Sequence, residues 1–352
     1  MNNFCKTLTV VLALLLVGSA MAVEIDAVSF KPEKAPKFRG ALKKNQELRD
    51  NVSLLANNQL SGPEDVAVAA DGSIFTGTND GWVKRVWPDG SVENFAFTGG
   101  HPLGMDMAPD GRLIVCEPFT GLLAIDMEGN IEVLATEANG VPFKLADDVK
   151  VSASGVAYFT DASSKFNLTD FEYDILENRG HGRLMSYDLV SGELKVLASG
   201  LFFANGVAFP EDEAFVLVAE TARYQIRRVW LQGDRAGDVE VLMSNLPGSP
   251  DGISWGEDGN VWIAFYAPRS VLIDALQPLA KVKNFLARLP KSLLPAPKPY
   301  GFVAKYDLDG NPLVSYHDQK GSVIGPVTAV EEVDGVLYLG SLVGAALGRF
   351  EP

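Results

Sequence analysis

The chain has 352 residues and a formal net charge of -15, with 47% of residues hydrophobic and 21% charged. That apolar fraction supports a large packed core in one or two domains, and so acidic a surface excludes a phosphate backbone, so no nucleic acid is expected as a partner. Cys5 and Cys116 are the only cysteines, too few for a cysteine-rich zinc site or a disulfide framework.

The N-terminus carries the pattern of a leader. Lys6 precedes the apolar run Leu8 to Val17, and Ala20-Met21-Ala22 offers small residues for cleavage. This pattern predicts an exported, periplasmic or secreted protein cleaved near Ala22. The run falls short of the roughly 20 residues of a membrane helix; the other reading is an uncleaved N-terminal anchor. Residues 23–50 form an extension ahead of the repeats. Cys116 lies in Leu113-Ile114-Val115-Cys116 and reads as a buried structural thiol.

From residue 51 to residue 352 one unit recurs. Its copies open at Pro63-Glu64-Asp65-Val66, Pro102-Leu103-Gly104-Met105, Ala146-Asp147-Asp148-Val149, Ala204-Asn205-Gly206-Val207, Pro250-Asp251-Gly252-Ile253 and Pro326-Val327-Thr328-Ala329. Turns such as Asp71-Gly72, Asp110-Gly111 and Asp258-Gly259 separate each opening strand from a second apolar strand, the pairing expected of hairpins. A third strand follows, as in Gly182 to Tyr187, and a fourth closes most copies, as in Leu194 to Ala198. Four antiparallel strands at a period of roughly 40 residues describe a propeller blade. The expected fold is therefore all-β, a six-bladed β-propeller.

The sixth copy, Val327 to Phe350, has room for three strands only. The segment Asn51 to Ala56 resembles a fourth strand and stands before the first blade, so pairing the two ends closes the ring and covers two strand edges. Two insertions interrupt the rhythm. Ser164 to Gly182 is polar and reads as a surface loop in the third blade. Residues 267–300, in the fifth, are amphipathic and basic, with prolines that limit any helix to short pieces. This second insertion reads as a helical cap, as a lid over the substrate, or as a patch for peripheral membrane or lipid contact.

Inner strands of a propeller start at one mouth of the central channel. The residues at those starts are Glu64, Leu103, Asp147, Asn205, Asp251 and Val327. Asp and Asn are poor strand formers, and each singly reads as a turn residue. Four oxygen-bearing side chains in one phase of the repeat instead point to a cation, because converging carboxylates raise one another's pKa until a positive charge relieves them. An oxygen-only set suits Ca²⁺, with Mn²⁺ or Mg²⁺ as alternatives. His101 sits just before the second inner strand and is a candidate general base; a surface role is the competing reading. Asp161 and Ser163 either line a pocket or begin a loop, and His181 and His317 carry no functional signal.

The motifs Gly62-Pro63-Glu64-Asp65, His101-Pro102-Leu103-Gly104, Tyr158 to Ser164, Ala204-Asn205-Gly206-Val207, Val218-Ala219-Glu220-Thr221, Leu246 to Asp251 and Leu337 to Ser341 resemble the strictosidine synthase-like branch of propellers. Within it the chain resembles the adipocyte plasma membrane-associated protein group. It is more distantly similar to paraoxonase and to the regucalcin/gluconolactonase family. The resemblance spans about Gly62 to Phe350. It implies metal ligation by Glu64, Asn205 and Asp251, and by Asp147 where relatives commonly have Asn. It also implies that the metal polarises an ester or lactone carbonyl, with Asp251 as base, nucleophile or ligand only. True strictosidine synthase has a glutamate near the start of the last inner strand; Ile324 to Thr328 holds no acid, which argues against amine–aldehyde condensation. The expected activity is a cation-dependent hydrolase of a small-molecule ester or lactone. The alternative is a non-catalytic propeller that binds a small ligand or protein around a structural ion.

Overall fold

The computed structural model describes residues 23–352; the leader and Cys5 lie outside the described residues. Six four-stranded antiparallel sheets follow one another along the chain as the blades of a propeller. In blade one the order runs Ala67–Val68, Ile74–Gly77, Trp82–Val86 and Val92–Phe97, from the innermost strand outward. The Asp-Gly turns behave as expected. Gly72 has φ 81° and Gly111 φ 88°, values that glycine reaches without a side-chain clash, and Asp71 Oδ1 accepts from the Ser73 amide at 2.9 Å.

Second strands such as Leu113–Glu117 and Phe215–Glu220 are buried at every position. Each is covered on both faces by neighbouring blades, so its sequence is continuously apolar rather than alternating. The core is accordingly divided among the seams. One cluster joins blades two and three through Ile114, Cys116, Phe159 and Met185. Another joins blades four and five through Leu217, Ile226, Phe265 and Phe302.

Ring closure takes the expected form. Ser53–Leu55 is the outer strand of the sixth blade, pairing Ser53 with Arg349 and Leu55 with Leu347. The expected segment Asn51 to Ala56 is shortened at its start because Asn51 ends a helix, Glu47–Asn51.

The sixth copy differs in register from the sequence reading. Val330, not Ala329, is the buried counterpart of Val66 and Val149 and starts the inner strand Val330–Val333. Val327 packs in the seam with Leu337 and Val303, and Thr328 takes its place at the channel mouth. The insertion in blade three is likewise not a surface loop. It folds into a 3-10 turn, Leu168–Asp170, and a helix, Phe171–Glu177, with Tyr173, Asp174, Glu177 and Asn178 buried. In blade five the insertion forms two short cap helices, Val271–Leu276 and Ala280–Leu286.

The extension 23–50 is tied down along its length. Val28 N donates to Glu177 O and Phe30 N to Gln277 O, so this strap joins the two insertions. Further on, Phe38 packs edge-on to Phe302, and Asn45 Oδ1 accepts from the His317 amide at 3.0 Å. No helix among the described residues is long and apolar enough to cross a membrane.

Candidate metal centre and its cavity

Glu64, Asp147, Asn205 and Asp251 line one cavity of about 280 Å³ at the channel mouth, and all four are buried. Each lies two residues before a buried aliphatic residue of its inner strand, namely Val66, Val149, Val207 and Ile253. The shared phase carries the side chains of four blades to the same depth. Leu103 and Thr328 complete the ring. Gly206 and Gly252 are needed for closeness rather than for a turn. A Cβ on Gly206 would lie 2.5 Å from Asp251 O, and one on Gly252 2.6 Å from Thr328 O. Inner strands of adjacent blades therefore meet backbone to backbone at the axis.

Threonines of neighbouring blades pin the backbone of this ring. Thr160 Oγ1 donates to Asn205 O at 2.9 Å, Thr221 Oγ1 to Pro250 O at 2.7 Å and Thr328 Oγ1 to Glu64 O at 2.7 Å. Beneath it, Asp65 Oδ2 accepts from the Met105 amide and Asp148 Oδ2 from the Val207 amide, at 2.8 and 2.7 Å. Deeper still, Lys150 of blade three reaches Glu331 of blade six at 2.7 Å and stands amid Asp65, Asp106 and Asp148. Sequence reading missed all of these. The local signals are the Thr at the end of an apolar second strand, for Thr160 and Thr221, and the second acid of Glu64-Asp65 and Asp147-Asp148, whereas Thr328, Lys150 and Glu331 carry neither.

Electrostatics at the ring is strained. Burial pushes Glu64 and Asp147 well above the ordinary carboxylate range, and Asp251 is the largest charged contributor to both. Burial likewise raises Asp251 to about 8, against a hydrogen bond from Asn205 that favours its ionised form. Asp147 Oδ2 is buried with no hydrogen-bond donor. Such an atom costs on the order of 1–3 kcal/mol or more when nothing satisfies it. Among the described residues no three Asp, Glu, His or Cys side chains stand close enough to share an ion. The donor chemistry of the ring, three carboxylates and an amide with one oxygen orphaned, nonetheless fits a hard divalent cation that completes its shell with other oxygens.

The remaining candidates fall elsewhere. His101 does not line this cavity. Its Nε2 lies 3.0 Å from Gly62 O, and its ring faces a separate surface pocket with Glu117 and Phe119. Burial also lowers its pKa. Asp161 is spent on Arg183, at 2.6 Å, and on the Leu145 amide. Ser163 Oγ donates to Asp174 Oδ2 at 2.5 Å. His317 is enclosed between Ser315 and Tyr300 and His181 lies beside Glu177.

Above the acidic floor the cavity walls are largely apolar, although Glu172, Arg269, Lys283 and Lys291 also line them. Leu145 and Phe203 come from the segments leading into inner strands, Phe171 and Ile175 from the blade-three insertion helix, and Ile273 and Leu294 from the cap.

The fold and this ring define an axial-cavity propeller, and the chain belongs to the strictosidine synthase-like family. The family description "Strictosidine synthase-like, N-terminal" matches residues 40–86 and "Strictosidine synthase" matches residues 147–234. Strictosidine synthase-like protein 6 of Arabidopsis thaliana is 38% identical over 314 residues, covering 85% of this chain and 81% of that protein. The adipocyte plasma membrane-associated protein of Rattus norvegicus is 34% identical and covers 95% of both chains. Among solved structures, a gluconolactonase from Xanthomonas campestris has a TM-score of 0.63 at 19% identity, covering 94% of this chain and 97% of its own. A calcium-binding regucalcin from Agrobacterium tumefaciens has a TM-score of 0.59 at 14% identity, covering 85% and 93%. At such identities these two likenesses establish the propeller fold.

Proposed function

We propose that the chain is a divalent-cation-dependent hydrolase of small esters or lactones, with Ca²⁺ as the cation and Glu64, Asp147, Asn205 and Asp251 holding it. The observation that carries this reading is the donorless Asp147 Oδ2 in a ring of buried carboxylates at the foot of an apolar cavity. Two proteins of like fold, a gluconolactonase and a calcium-binding regucalcin, agree with it. A bound divalent cation supplies Lewis acidity that polarises a carbonyl oxygen.

The chain's own groups do the rest. The apolar walls seat the acyl or alkyl part of the substrate and exclude bulk water, which strengthens every charge interaction on the floor. Asp251, buried at the foot of the cavity and ionised when a cation is held beside it, accepts the proton of the attacking water through its Oδ. Asn205 stays neutral and orients Asp251. His101 takes no part, since it opens to another pocket. Amine–aldehyde condensation is disfavoured because the sixth ring position is Thr328, a neutral hydroxyl already given to Glu64 O.

The test is a panel of aryl esters and lactones assayed with chelator and with Ca²⁺ added back. Turnover that disappears on chelation and returns with Ca²⁺, and that Asp251→Ala abolishes while His101→Ala retains most of it, is the expected result. No turnover of any panel member, with melting unchanged by chelation, rejects both the hydrolase and its ion. Absent turnover with a melting temperature that Ca²⁺ raises leaves a ligand-binding propeller around a structural ion.

A further inference from the structure

The outer face of the cap is apolar where solvent would demand polarity. In the first cap helix Ile273, Leu276 and Gln277 line the cavity, while Val271 and Leu272 point outward, Val271 being 87% exposed. Apart from Asp274, paired with Arg269 at 2.8 Å, this helix is apolar all round, and such a helix needs apolar surroundings on both sides. The second cap helix is inside out. Its Lys283 is fully buried, its Nζ donating to Val28 O at 2.7 Å and to Gln277 Oε1 at 3.2 Å. Phe285, 62% exposed, and Val282 face away from the protein. Leu279 and Leu293 continue the same exposed surface.

The charge on this face is opposite to that of the molecule. No Asp or Glu occurs between Asp274 and Asp307, whereas the whole chain carries -15. Lys281 and Lys298 are exposed among the apolar side chains, as is Arg288, whose guanidinium lies 3.8 Å from Glu24. Val23 packs at the base of the cap with Tyr173, Ala287 and Leu294.

We infer that the outer face of the cap docks on the surface of an anionic phospholipid membrane. Leu272, Leu279, Phe285 and Leu293 enter the headgroup–acyl boundary and Lys281, Arg288 and Lys298 meet the headgroups, the arrangement of an interfacial amphipathic segment. The cavity lies directly beneath, so an apolar ligand leaving the bilayer meets the cap before it meets bulk water. This inference stands apart from the hydrolase reading and its test needs no turnover.

The chain from Val23 onward contains all six sheets and the cap, and omits the leader, whose own apolar run would obscure the result. Its co-sedimentation is measured with vesicles of phosphatidylcholine alone and of phosphatidylcholine with phosphatidylserine. Two double variants are compared, Leu272→Ser with Phe285→Ser and Lys281→Glu with Lys298→Glu, each checked for an unchanged melting curve. The expected result is binding to the anionic vesicles, weakened by salt and reduced more than about tenfold in both variants. Absent sedimentation, equal binding to neutral vesicles, or variants that bind as well as the parent overturn the inference. A concentration-dependent dimer dissolved by the Leu272→Ser, Phe285→Ser change, without vesicle binding, assigns the face to a second copy and overturns it too.

Discussion

Asp147 concentrates the charge conflict of the proposed site in one residue. It adds a third carboxylate to a ring already holding Glu64 and Asp251, and one of its oxygens has no donor. Asp147→Asn is expected to raise the melting temperature in chelator by relieving repulsion, and to weaken Ca²⁺ binding by about tenfold or more, since ligand charge tunes affinity. Calorimetric titration beside a melting curve checks both signs. Asp251 sets a pH dependence. Its folded pKa of about 8 lies above its ordinary value of 3.8, so the metal-free fold binds a proton that the unfolded chain releases between those limits. That contribution is complete below about pH 4 and is lost as pH rises through 8. Chelated protein is therefore expected to melt lower at pH 8 than at pH 5, and saturating Ca²⁺ to shrink the difference. A melting series that is flat with pH in chelator contradicts it.

At the scale of elements, the close approach of inner strands makes glycine irreplaceable. Gly206→Ala places a methyl group against Asp251 O and Ile253 N, each 2.5 Å away. Overpacking of this kind is expected to cost about 1–3 kcal/mol and to disturb the ring, read as a lowered urea midpoint and weaker Ca²⁺ binding together. In sequence, Asn205-Gly206 and Asp251-Gly252 look like turns, because glycine's usual meaning is local; here its meaning comes from the next blade. Lys150 is a second example. It bridges to Glu331 across the channel, and Lys150→Met leaves Glu331, Asp65, Asp106 and Asp148 without their cation. The expected loss is up to about 3 kcal/mol, at the lower bound for a buried pair because both partners keep some exposure. Equilibrium unfolding measures it. Residues 150 and 331 lie in strands of different blades, so no window along the chain could have paired them.

For the whole molecule, closure through Ser53–Leu55 joins the two ends of the propeller into one cooperative ring. A chain beginning at Leu60 loses that strand, exposes the sixth blade's edge and uncovers part of the cluster that holds Leu347 and Val66. It is expected to lose at least about 3 kcal/mol and its single sharp unfolding transition; an unaltered denaturation curve would contradict closure as the source of cooperativity. The number of blades, this closing strand and the phase of Glu64, Asp147, Asn205 and Asp251 were all determined by the sequence alone. Each is written as a local period, alternating or continuous apolar strands cut by Asp-Gly turns, and a repeat carries equivalent positions to equivalent places. Tertiary structure alone decided that Thr328 rather than Val327 fills the sixth position, that His101 turns to another pocket, and that Lys283 points inward while Phe285 points out. Those outcomes depend on which distant segment arrives beside a residue, on Gly62 O beside His101 and on Val28 O beside Lys283, and contact between distant segments leaves no period in the chain to read.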